Sequence, residues 1–131
     1  MPLGRVLVVD DEPDIRKSVR LILSRAGFDV IEAEDGAKGV AAIKAGDNAL
    51  MVDTILCDIH MPNVDGMEAV AFFRAQFPSV PVIMMTGQPS VPNLTSLFKQ
   101  GVVDCLVKPF EPDKLTAAVQ KAVKEHVLFK G

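Results

Sequence analysis

A doubly wound α/β domain built on one parallel sheet is the architecture the sequence predicts, and three observations predict it. Five short apolar runs each stop at a polar or turn residue, and each is followed by a stretch with helical spacing of its apolar positions. The first run, Val6-Leu7-Val8-Val9, is continuously apolar rather than alternating, the mark of a strand covered on both faces. Strand and helix alternate strictly, which calls for parallel strands joined by helical crossovers.

The first run, Arg5-Val6-Leu7-Val8-Val9, stops at Asp10-Asp11. Pro13 then opens a helix in its first turn. Ile15, Val19, Ile22, Leu23 and Ala26 keep one apolar face, and Gly27 ends the helix as a C-cap. The second strand is Phe28–Ala33, closed by Glu34-Asp35-Gly36, and Ala37, Val40 and Ala41 begin a helix that stops near Gly46. The third strand is the centre of the chain. Ile55-Leu56-Cys57 delivers Asp58 to a loop carrying Pro62 and Gly66, and Met67–Phe77 follows at helical spacing. Val80–Met85 is the fourth strand, ending in Thr86-Gly87. Pro89, Ser90 and Pro92 lead into a helix through Leu94, Leu97 and Phe98. The fifth strand, Val102–Val107, ends in Lys108-Pro109. Pro112 and Asp113 start the last helix, with Leu115, Ala118, Val119, Ala122, Val123 and His126 on its face.

Right-handed crossovers leave few ways to arrange five such units, and the flavodoxin-like order 2-1-3-4-5 is the common one. Parallel strands share one carboxyl edge, and there the sequence places Asp10-Asp11, Asp58, Thr86 and Lys108. In that order strands 1, 3, 4 and 5 are neighbours, about 4.8 Å apart, so the four groups line one cleft. Each alone has a structural reading: helix cap, loop cap, turn residue, snorkelling lysine. Four such accidents on one edge are harder to accept. Three crowded carboxylates repel, by about 4 kcal/mol for a pair at ~4 Å and an effective dielectric of 20. Mg2+ relieves that repulsion with one or two carboxylates and several waters. A carboxylate nucleophile, a fixed ammonium and a hydroxyl donor are the parts for phosphoryl transfer to an aspartate.

The remaining composition narrows the field. The chain has 131 residues, 24% charged, with net charge −3. It shows no apolar run near the ~20 residues of a membrane span, no secretory signal at Met1–Arg5, and no basic run for nucleic acid. Lys114, Lys121, Lys124 and Lys130 read as a solvated helix face. Cys57 and Cys105, inside expected buried strands, read as small apolar residues in a reducing cytosol. With one strand between them they are about 9–10 Å apart, too far for a disulfide.

With Val-Val-Asp-Asp-Glu-Pro at 8–13, Asp-Ile-His-Met-Pro-Asn-Val-Asp-Gly at 58–66, Met-Thr-Gly at 85–87 and Asp-Cys-Leu-Val-Lys-Pro-Phe at 104–110, the chain resembles the receiver domain of two-component response regulators from about Val6 to Val127. A chemotaxis member of that family is itself a standard example of the 2-1-3-4-5 order, so topology and family are not independent readings. The resemblance implies a single receiver domain over residues 1–131. It implies Asp58 as phosphoacceptor, charged by a histidine kinase or histidine phosphotransfer protein and read by a downstream effector, with no nucleic acid or membrane bound by the domain itself and a cytoplasmic location. It implies Mg2+ bound directly by Asp11, mostly through water by Asp10, by Asp58, and by the His60 backbone carbonyl rather than its side chain. Thr86 and Lys108 would bind phosphoryl oxygens, and Lys108-Pro109 would be cis. Such a domain is a switch rather than an enzyme, though it assists its own phosphorylation and dephosphorylation.

Three departures stand out. Cys105 takes the place of the family's usual aromatic, so a signal from Thr86 is expected to run through the loop Gly87–Asn93 instead of a ring. The segment Gly46–Asp53 is longer than usual, with Leu50, Met51 and Val52 expected to form an extra packed turn. His60 and Gln88 occupy positions that tune dephosphorylation. Among rivals, an Asp-nucleophile phosphatase of the haloacid-dehalogenase type wants an acid where His60 stands, and a dinucleotide binder wants Gly-x-Gly-x-x-Gly after the first strand. A receiver that docks without being phosphorylated is opposed by the complete acid, threonine and lysine set.

Overall fold

The computed structural model describes residues 3–59, 66–87 and 91–130, with side chains described for 3–59, 68–87 and 95–126. The expectations at His60, Pro62, Gln88, Pro89 and Ser90 lie outside those residues. The five strands β1 (Arg5–Val9), β2 (Asp29–Ala33), β3 (Val52–Asp58), β4 (Val82–Thr86) and β5 (Asp104–Val107) form one parallel sheet in the order β2-β1-β3-β4-β5. The helices are α1 (Pro13–Arg25), α2 (Gly36–Lys44), α3 (Asn48–Met51), α4 (Gly66–Gln76), α5 (Val91–Lys99) and α6 (Pro112–Lys130).

Because side chains on a strand alternate between faces, every buried strand contributes to two cores. Leu7, Val9, Ile55, Cys57, Val82 and Met84 pack with Ile43 of α2, Val70 and Phe73 of α4 and Leu97 of α5. Val6, Val8, Leu56, Ile83 and Met85 pack with Val19 and Leu23 of α1 and with Leu115, Val119, Ala122 and Val123 of α6. A register slip of one residue would exchange the two sets, so the pairing is strongly specified.

The strand starts move inward from the expected ones. β2 begins at Asp29, β4 at Val82 and β5 at Asp104, since apolar residues continue into the turns that feed each strand. Gly27 ends α1 with φ +101°, as a C-cap glycine should. Helix α2 begins where expected, and its buried side is made largely of small residues. Ala37 and Ala41 are exposed, while Gly36, Gly39 and Ile43 are buried. A Cβ on Gly39 would stand 2.8 Å from Val9 Cγ2, so the helix lies against β1 on its glycines, which a search for large apolar residues overlooks.

The insertion also departs from expectation. It forms the short α3, but Leu50 is 75% exposed and Met51 46%; Val52, the first residue of β3, is the one that packs. Phe98 of α5 is likewise exposed. Both cysteines are free, and they flank Met84 in register, so β4 separates them. Cys105 is only half-buried because β5 is an edge strand. Lys114, Lys121 and Lys124 lie on the solvent side of α6. Among the described residues, no helix is long and apolar enough to cross a membrane.

Candidate phosphoacceptor cleft

Asp10 follows β1 directly, Asp58 ends β3, Thr86 ends β4 and Lys108 follows β5. Hydrogen bonding ties these ends together: Lys108 N–H donates to the Thr86 carbonyl at 2.7 Å, and Asp10 N–H to the Ala33 carbonyl at 3.1 Å. Asp58 is in register with Met85, so Thr86 stands one residue beyond it on the adjoining strand. The Lys108–Pro109 bond is cis.

The side chains converge. Lys108 Nζ lies 2.7 Å from Asp10 Oδ2, 3.2 Å from Asp58 Oδ2 and 3.1 Å from Glu12 Oε1. Asp10, Asp58 and Thr86 are buried, whereas Asp11 and Glu12 are exposed. Asp10 does not cap α1 in the expected way. Its Oδ1 accepts the Glu12 N–H at 2.9 Å, and Glu12 itself is the N-cap residue, with no side-chain cap bond.

Burial pushes the Asp10 carboxyl up to about 6, helped by the Asp58 charge and opposed by Lys108 and the Glu12 N–H. Burial alone would lower the Lys108 ammonium, but the close Asp10 carboxylate, then Asp58 and Glu12, raise it well above its ordinary value. The two partners do not shift as mirror images. Three acids converge on the one ammonium, so the cation gains more from the cluster than any single acid does. Burial and the Asp104 charge likewise raise the Cys105 thiol, which keeps it protonated and unreactive at neutral pH.

The donor set fits a hard divalent cation. Asp10, Asp11, Glu12 and Asp58 each offer a carboxylate oxygen, all within 4.8 Å of one another. Asp10 Oδ2 is buried beside the Lys108 ammonium yet makes no aligned hydrogen bond, a lone pair of the kind a metal would use. His60, the carbonyl ligand implied by resemblance, lies outside the described residues.

The model of the response regulator receiver domain matches residues 6–120. The chain belongs to that family. The receiver is 34% identical over 122 residues to the transcriptional regulatory protein FixJ of Bradyrhizobium diazoefficiens, covering 93% of this chain and 58% of FixJ. It is 36% identical over 121 residues to the chemotaxis protein CheY of Listeria monocytogenes, covering 92% of this chain and 98% of CheY. Among solved structures, Vibrio cholerae CheY4 superposes with a TM-score of 0.82 at 32% identity, covering 91% of this receiver and 98% of that chain. Brucella abortus NtrX gives 0.88 at 30% identity, covering 99% of this receiver and 29% of that chain. The receiver therefore spans little more than half of FixJ and about a quarter of the Escherichia coli regulator NtrC, of which it covers 26%.

Two features escaped the sequence reading. Glu12 stood in the quoted motif without a role, although its place between the acid pair and Pro13 puts it at the cleft mouth. Asp53 and His126 were read separately, as part of an insertion and as a helix face, yet His126 Nδ1 is 2.9 Å from Asp53 Oδ1. A histidine on an apolar face needs a buried partner, and that was the available signal.

Proposed function

We propose that this receiver is a phosphorylation-dependent switch that accepts a phosphoryl group on Asp58 from the phosphohistidine of a histidine kinase or histidine phosphotransfer protein. The observation that carries it is the contact of Lys108 Nζ with both Asp10 Oδ2 and Asp58 Oδ2 at the sheet's carboxyl edge, 2.7 and 3.2 Å. An Asp58 carboxylate oxygen forms the new O–P bond as the P–N bond of the donor breaks, and the departing imidazole nitrogen keeps the electron pair. Lys108 meets the charge on the equatorial phosphoryl oxygens, and Thr86 offers its hydroxyl at the neighbouring strand end. Mg2+, held by Asp10, Asp11, Asp58 and the His60 carbonyl, would supply further positive charge there when bound. The roles of Asp11 as direct ligand and Asp10 as mostly water-mediated ligand belong to this reading. The cytoplasm is the compartment that suits two free thiols. The phosphorylated form would be read by an effector protein or domain, with no nucleic acid or membrane contacted by the receiver.

The test is intact mass after incubation with acetyl phosphate. One phosphoryl group should be added with Mg2+ present, none without it, and none in Asp58→Asn. Modification that survives this substitution, or no modification of the wild type, overturns the reading.

A further inference from the structure

We propose that Glu12 is a positioning residue that holds the Lys108 ammonium at the cleft mouth and slows phosphoryl transfer from small anionic donors relative to protein donors. This deepens the reading of Asp58 as phosphoacceptor and rests on it.

An ammonium has three N–H donors, and those of Lys108 face three carboxylates: Asp10 at 2.7 Å, Glu12 at 3.1 Å and Asp58 at 3.2 Å. Two of the three are buried at strand ends. The Glu12 side chain is 58% exposed. Its backbone is fixed, because its N–H donates to Asp10 Oδ1 and Pro13 follows at the first turn of α1. The carboxylate serves no helix cap, so its partner in the fold is Lys108.

The consequence follows from charge. When a divalent cation held by Asp10, Asp11 and Asp58 neutralises the buried pair, their pull on Lys108 weakens, while Glu12, outside that proposed ligand set, keeps its charge. Lys108 must then leave Glu12 to reach an incoming phosphoryl oxygen. The Glu12 charge also stands where a donor enters, and repels a small dianion. A protein donor can place a cationic side chain against Glu12 and free Lys108; acetyl phosphate has none to offer. Glu12 thus favours a phosphohistidine presented with a basic neighbour.

Glu12→Gln removes the charge and keeps the shape. The rate with acetyl phosphate should rise about fivefold to tenfold, an ordinary size for a steering charge at a cleft, mainly through a lower half-saturation concentration. The gain should shrink as salt screens the field. With the less anionic phosphoramidate the gain should stay below about twofold, by the same dependence on donor charge. In metal-free protein, exchange of the Lys108 Nζ hydrogens, followed by nitrogen-15 NMR, should quicken about twofold as one of its two hydrogen-bonded carboxylates is lost. Equal acceleration with both donors, or unchanged rates and unchanged exchange, overturns the proposal. So does a tenfold or greater loss of Mg2+ affinity, the range expected when a group that supports the metal is removed. If the wild type accepts from neither donor, the Asp58 reading and this proposal fall together. If it accepts and Glu12→Gln leaves the donor ratio unchanged, the proposal alone falls.

Discussion

Strand β3 carries a buried carboxylate at each end, and the two are treated oppositely. At its start, Asp53 is 8% exposed and its oxygens are each met by a donor or a ring nitrogen: Oδ2 accepts the Arg5 N–H at 3.2 Å, and Oδ1 meets His126 Nδ1 at 2.9 Å. At its end, Asp58 shares one ammonium with Asp10 and Glu12, and Asp10 Oδ2 is left without an aligned hydrogen bond. The first end pairs one acid with groups of the fold; the second gathers three acids round one ammonium. A buried acid with matched partners holds the fold together, here by tying α6 to the head of β3. Buried acids crowded together repel, which costs stability until something positive arrives. The same residue type is therefore structural in one place and poised for chemistry in the other.

Breaking the matched end should have the largest effect. His126→Ala leaves Asp53 short of a partner and opens space under α6, costing about 3 kcal/mol, which lowers Tm on the order of 10 °C. Mg2+ affinity should be unchanged, and a His126→Ala protein with wild-type Tm would mean the pair contributes nothing.

Mg2+ should act on the other end alone. At a hundredfold excess over Kd, thermal melts should show about 2.7 kcal/mol of added stability at pH 7.5. The same gain should be seen in His126→Ala and little in Asp58→Asn. Lowering the pH to 5, below the raised Asp10 value of about 6, should diminish it as the proton competes with the metal.

Asp10→Asn sharpens the contrast with a gain where a loss is usual. The Asp10 carboxyl titrates near 6 in the fold against 3.8 ordinarily, so the folded state holds its proton more tightly than the unfolded one. That contribution is whole below about pH 4 and is lost as the pH rises through 6. Metal-free Asp10→Asn should lack this fall and be more stable than wild type at pH 7 by about 3 kcal/mol, read by urea melts on both proteins. Equal or lower stability would show that the Lys108 contact outweighs burial. The smallest effect belongs to Leu50, three residues before Asp53 and 75% exposed. Leu50→Ser should change stability by less than about 0.5 kcal/mol, which separates the insertion from the Asp53 pair beside it.

The sequence by itself determined the parallel sheet, its order, and the edge on which Asp10, Asp11, Asp58, Thr86 and Lys108 gather. These follow from short, mostly apolar runs that stop at a polar or turn residue, and from crossovers with few permitted arrangements, patterns local enough to read along one line of residues. Tertiary structure decided what depends on distance across the chain. It paired Asp53 with His126, 73 positions apart, and brought Glu12 to Lys108, 96 apart. It buried Gly36, Gly39 and Ile43 of α2 while leaving Ala37 and Ala41 exposed, and left Leu50 and Phe98 in solvent. Whether a buried charge is satisfied depends on which donors the fold brings within about 3 Å of it, and no local pattern in the chain encodes that distance.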